Sequence, residues 1–106
     1  FLSQGRMKGR DARRQRDPHE FQTALSLYYT DKLHFPTDSA GSEIIIGGDN
    51  DYFSSQLTSG GYIPQVTPDP IQNAIYHYTY TPLRNAQNYE LRYQLESRDQ
   101  EIVLNP

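Results

Sequence analysis

The 106-residue chain has no cysteine and no tryptophan. Without cysteine, neither a disulfide framework nor thiolate chemistry is open to it, and the redox compartment stays undefined. No run of 18 apolar residues occurs, so no transmembrane helix lies within these residues, and the opening FLSQGRMKGR lacks the apolar h-region of a secretory leader. The three histidines, His19, His34 and His77, show no ligand spacing such as H-x-x-x-H, and no zinc is expected. There is no Gly-rich phosphate loop, and Ser54, Ser55 and Ser59 lack the G-x-S-x-G context of an activated nucleophile. No catalytic residue, no metal and no cofactor is expected, and the chain reads as a non-enzyme.

Hydrophobic residues are also scarce, at 35%, but nine tyrosines and four phenylalanines supply large contact areas with few side chains. A chain of this length makes one domain, burying roughly 60–70% of the surface its unfolded form exposes. The expected core is aromatic. The formal charge of −3 hides an asymmetry. Residues 1 to 20 carry six Lys/Arg against three acids, a net +3, which leaves four against ten, a net −6, for the other 86. A basic arm on an acidic body suits phosphate, an anionic membrane surface or the acidic body of a neighbouring copy.

From Phe21, apolar residues fall at Phe21, Ala24, Leu25, Tyr28 and Tyr29, the spacing of an amphipathic helix with one buried stripe. Asp17-Pro18-His19-Glu20 reads as an N-cap, Pro at N1 and Glu at N3, so the N-terminal helix of residues 1–35 is expected to break near 17–18. Residues 36–74 are a turn-rich excursion of the kind that carries variability, with EIII (Glu43 to Ile46) strand-like and DYFSSQL (Asp51 to Leu57) a possible short helix. In 75–104, IYHYTYT puts Tyr76, Tyr78 and Tyr80 on one face and YELRYQL puts Tyr89, Leu91, Tyr93 and Leu95 on one face. PLRNAQN joins them as a hairpin, and EIVL adds a further strand. One helical stripe and one apolar sheet face satisfy each other by packing, giving an α+β fold with the long helix laid across a 3–4 stranded antiparallel sheet. Its expected core is Phe21, Leu25, Tyr28, Tyr76, Tyr78, Tyr80, Tyr89, Leu91 and Tyr93.

These residues resemble a known family. RDARRQRDPHEFQTALSLYYTDKLHFP is similar to the second half of the first helix of type IV pilins and type II secretion pseudopilins, where R-D-A-R-R precedes Q-T-A-L-x-L-Y-Y-x-D and an aromatic-Pro pair. GGYIPQVTPDP resembles their Y-[IL]-P…DP connection into the sheet, and YHYTY followed by NYELRYQLES resembles their closing strand pair; together the three cover about residues 6 to 96 in the family's order. The resemblance implies a pilin-like fold and a non-catalytic subunit of a homo-oligomeric surface filament, held in the membrane before assembly by an apolar N-terminal half-helix that precedes the present residues. Phe1 is not read as the methylated Phe that begins mature pilins, because position 5 is Gly where the family has Glu. Many pilins carry a disulfide in the C-terminal region, which this chain cannot form. The major pseudopilin carries calcium in an Asp-rich loop near its C-terminus, whereas SRDQEIVLNP offers only Asp99 and Glu101, pointing to a pilin or another pseudopilin.

Two candidate sites remain. Arg10, Arg13, Arg14 and Arg16 are candidates for contact with another subunit or an anionic surface. Together with Arg6 and Lys8 they also fit weak, salt-sensitive nucleic-acid binding, although the arginines share no single helical face and the core needs the tyrosines. GGDNDYF sets Asp49 and Asp51 around Asn50 like the start of a calcium loop, but Phe53 and the lack of Gly at the sixth place break that pattern, and a surface turn is expected.

Overall fold

The computed structural model describes residues 2–106; Phe1, and the reading of it as an unmethylated residue, lies outside the described residues. Helix α1 (Leu2–Lys32) is followed by β1 (Ile44–Ile45), α2 (Tyr52–Ser59), β2 (Thr79–Leu83), β3 (Asn88–Leu95) and β4 (Gln100–Leu104). The four strands form one antiparallel meander in the order β1-β2-β3-β4. At about 1.5 Å per residue a 31-residue helix is about 46 Å long, so α1 spans the 47 Å long axis of the molecule.

The expected break at Asp17–Pro18 does not occur, since α1 runs unbroken through Pro18. Local chemistry favoured a start at Asp17, but the Asp17 side chain serves another partner. It is buried and accepts from Thr67 Oγ1 at 3.0 Å and Tyr78 Oη at 3.4 Å. Pro18 removes one backbone bond, yet both flanks of the proline are anchored, by Asp11 and Arg14 before it and by Phe21, Ala24, Leu25 and Tyr28 after it. Tertiary packing thus outweighs one missing helical bond.

Strand register explains the core. Ile44, Tyr80, Leu91 and Leu104 form one row across all four strands facing α1 and α2, while Ile45, Thr79, Arg92 and Val103 form the neighbouring row on the other face. β3 alternates through its full length, with Tyr89, Leu91, Tyr93 and Leu95 buried as expected. The aromatic core is built from edge-on and tilted contacts: Phe21 meets Phe53 at 5.7 Å and Tyr78 at 5.9 Å, and Tyr80 lies 4.7 Å from Phe53. Tyr80 Oη donates to the Pro36 carbonyl at 2.6 Å, which satisfies its one polar atom in the interior. Pro82 is tolerated in β2 because β1 pairs only with Thr79 and Tyr80, leaving that edge free beside Pro82.

Tyr76 is a correction. The alternation of IYHYTYT predicted a strand from Ile75, but β2 begins at Thr79, and Tyr76 stands outside the core, half-buried, its ring over the Arg14 guanidinium. Ile46, Phe53, Leu57 and Val66 from the excursion fill the core in its place. GGDND leads into α2, with Asp51 as its N-cap. The Asp51 carboxylate accepts from the N–H groups of Gly47, Gly48 and Ser54 and from Ser54 Oγ, so its oxygens are filled from within the chain. Gly48 has φ +96, and a Cβ there would lie 2.9 Å from the Val66 carbonyl oxygen, so only glycine fits.

Leu25 is fully buried and Leu27 is 51% exposed on the same helix. Leu25→Ala is expected to cost about 2–5 kcal/mol in urea denaturation, and Leu27→Ala less than about 0.5 kcal/mol.

Candidate functional site

Where α1 crosses the lower end of the sheet, an arginine is sealed inside the protein. Arg14 has no exposed surface, although a guanidinium is almost never fully buried without partners. Helical spacing puts it on the stripe that continues downward from Phe21, Pro18 and Asp17 to Asp11. Its partners come from three separate segments. Nε and Nη2 grip Asp69 in a two-pronged pair at 2.8 and 3.0 Å; Nη1 donates to Asp11 at 3.0 Å and to Glu96 at 2.5 Å. Tyr76 covers the open side of the guanidinium, with its ring centre 4.8 Å from Cζ.

Each carboxylate is also tied to backbone. Asp11 accepts from the N–H groups of Glu96 and Ser97, both at 3.0 Å, and fixes the turn that closes β3. Asp69 Oδ1 accepts from the Ile71 N–H at 2.9 Å and shapes the connection into β2. Glu96 is held from the other side by Arg10, at 2.6 and 2.7 Å. Arg10, Asp11 and Arg14 of the helix thereby clamp the loop at Asp69 and the turn at Glu96 to one point.

Electrostatics follow from these bonds. Arg10 beside it lowers the Glu96 carboxyl to about 2, with Arg14 adding to the effect against the cost of burial. Burial pushes Asp11 up, but the two backbone N–H groups and Arg14 outweigh it and hold Asp11 at about 2. Burial alone would lower the Arg14 pKa; its bonds to Asp69, Glu96 and Asp11 prevail and raise it. Asp11, Glu96 and Arg14 are thereby held in their charged forms near neutral pH and form a structural charge network.

The four arginines nominated for external contact therefore divide. Arg14 is buried and unavailable, and Arg10 is spent on Glu96. Arg16, with its side chain 62% exposed, lies 3.3 Å from Asp17 and 3.9 Å from Glu20, and Arg13 is half-exposed with no ion pair among the described residues. Arg16 and Glu20 also line a groove of about 460 Å³ against Ile63, Pro64, Gln65 and Thr67. Asp69 and Glu96 were missed as partners, although both stand at the ends of the motifs DP and YELRYQLE that carried the family resemblance. Among the described residues no group of three or more His, Cys, Asp or Glu is arranged to hold a metal ion, and Glu101 is paired with Arg92 at 2.8 Å.

A long amphipathic helix clamped and packed across a four-stranded antiparallel meander is the pilin-like α+β architecture. The family described as type II secretion system (T2SS), protein G, matches residues 3–97, and the chain belongs to that family. Comparisons with curated proteins and with solved structures gave no match. Members of this pseudopilin family are structural, cell-envelope-associated components of pilus-like filaments. The family match ends before Asp99 and Glu101, the sparse C-terminal acids on which the expectation of a pilin or another pseudopilin rests. No helix of the described residues is long and apolar enough to cross a membrane.

Removing the Arg14 guanidinium leaves the buried Asp11 and Asp69 carboxylates without a cation, while Glu96 keeps Arg10. Arg14→Met is expected to destabilise the chain by about 3–5 kcal/mol, whereas Arg13→Ala changes stability by less than about 0.5 kcal/mol, both read by urea unfolding. Asp11 and Glu96 have folded pKa values below their unfolded ones, so their stabilisation is present above the unfolded values and lost as pH falls through the folded ones. Unfolding free energy should hold down to about pH 5 and decline to about pH 2, and Asp11→Asn with Glu96→Gln should start less stable and decline less.

Proposed function

We propose that this chain is the globular part of a subunit of a pseudopilus or type IV pilus-like filament, assembling noncovalently with other copies and performing no catalysis. The observation that carries the reading is the helix. It runs the whole length of the molecule, no residue before Asp11 is buried, and the acids Asp11 and Asp17 in that region are turned inward. Arg6, Lys8, Arg13 and Arg16 are left as the cations facing outward there against the one exposed acid Glu20, so burial of Asp11 and Asp17 with Arg10 and Arg14 keeps the basic balance of this end on its surface. An apolar half-helix preceding these residues would anchor the subunit in the cytoplasmic membrane and, in the filament, provide most of the association energy through burial.

Arg13 and Arg16 are the arginines assigned to contact with an acidic neighbour or anionic headgroups; Arg10 and Arg14 hold the head together and no longer belong to that set. The same division weakens the nucleic-acid alternative. Two of six cations are consumed internally, and Tyr78, Tyr80, Tyr89 and Tyr93 are buried, so they offer no faces for base stacking.

In the full-length protein, Arg13→Gln combined with Arg16→Gln is expected to reduce filament formation at least about tenfold, seen by electron microscopy and pelleting, with the unfolding free energy of the head changed by less than about 1 kcal/mol. Wild-type assembly in the doubly substituted protein contradicts the assignment of these two residues. Tight DNA binding at physiological salt, lost in the same variant, would favour the nucleic-acid reading.

A further inference from the structure

At the end of the molecule where α1 finishes, a second cleft lies between residues 37–41 and the β2–β3 turn. It has a volume of about 490 Å³, within the range of small-ligand sites. Asp38, Arg84 and Asn85 line it with Thr37 and Ser39, over a small apolar floor that includes Pro82 and Ala86. None of these residues belongs to the Arg14 cluster or to the groove at Arg16.

Its backbone is held in a conformation that side chains disfavour. Arg84, Asn85 and Ala86 have φ of +53, +56 and +61, three successive left-handed residues with no glycine among them. Surrounding bonds impose this: the Phe35 N–H donates to the Ala86 carbonyl at 2.8 Å, and Gln87 is held by Leu33 and Tyr29. Strain of this kind persists where neighbouring structure fixes it, and it recurs at ligand clamps.

The unused hydrogen-bonding groups decide the ligand chemistry. Asp38 Oδ1 accepts from the N–H groups of Ala40 and Gly41, which leaves Oδ2 free. Arg84 and the Asn85 amide have no partner among the described residues, and Asp38 and Arg84 line one cleft without pairing with each other. A carboxylate ligand would meet Asp38, and a cationic one would meet Arg84. A neutral ligand rich in adjacent hydroxyls meets neither difficulty, because guanidinium and amide each offer two coplanar polar atoms that match a pair of neighbouring hydroxyl groups, and Asp38 Oδ2 accepts from a further one. We propose that this cleft is a saccharide-binding site for a neutral sugar of one or two rings, independent of the filament reading.

The test is an NMR titration of the ¹⁵N-labelled chain with glucose, galactose, mannose and N-acetylglucosamine, each to about 100 mM, which detects a millimolar Kd. At least one sugar should give saturable shifts confined to residues 37–41 and 84–87, unaffected by added salt. Arg84→Gln should weaken binding at least about tenfold. Asn85→Gly, which suits the left-handed backbone and so keeps the fold, should do the same while the amide shifts of Phe21 and Leu91 stay in place. No shift with any of the four sugars, shifts centred elsewhere, or wild-type binding by both variants overturns the proposal. So does a response to succinate alone that disappears at high salt, which would make the cleft an anion site.

Discussion

A single positive charge with no exposed surface governs how this molecule is put together. Arg14 cannot shed its proton and cannot reach water, so the fold exists only where Asp69, Asp11 and Glu96 all arrive within hydrogen-bonding distance. Those partners lie 55 and 82 residues away along the chain, plus one turn below on the helix itself. Hydrophobic burial supplies the larger share of stability through Phe21, Leu25, Phe53 and the sheet tyrosines, but it is non-directional. The ion cluster sets where along the helix the sheet must sit.

That placement explains the helix as a whole. With its lower half clamped at Arg10, Asp11 and Arg14 and its upper half plugged by aromatics, α1 passes Pro18 without ending and stays one rod. The rod carries the basic N-terminal turns away from the sheet, and Arg6, Lys8 and Arg13 lie on its outer side without an ion pair among the described residues. A filament subunit needs both properties: a stiff connection between core and head, and a head that folds without help from its neighbours.

Much of this was legible in the residues. The stripe at Phe21, Leu25 and Tyr28 and the alternation of Tyr89, Leu91, Tyr93 and Leu95 report directly which side meets the core, because burial in these elements follows a simple period. The helix of DYFSSQL and the strand of EIII were also visible, although nothing local indicated that Phe53 and Ile46 would be fully buried. Reading failed where a long-range partner overrode a local rule. Asp17-Pro18 has the chemistry of a helix start, but Asp17 is claimed by Thr67 and Tyr78. Tyr76 keeps the period of Tyr78 and Tyr80, yet it is drawn onto Arg14. The four arginines were nominated together for external contact, and only the distant Asp69 and Glu96 separate the buried Arg14 and the engaged Arg10 from Arg13 and Arg16.

The dependence of the fold on the shared guanidinium is tested most directly by a double-mutant cycle between Arg14→Met and Asp69→Asn, with each unfolding free energy taken from urea denaturation. The structure predicts strong coupling, with the double variant more stable than the sum of the two losses by at least about 2 kcal/mol, since each single change strands a buried charge. Additivity within about 0.5 kcal/mol would contradict it, and would mean that the Arg14–Asp69 pair does not fix the helix on the sheet.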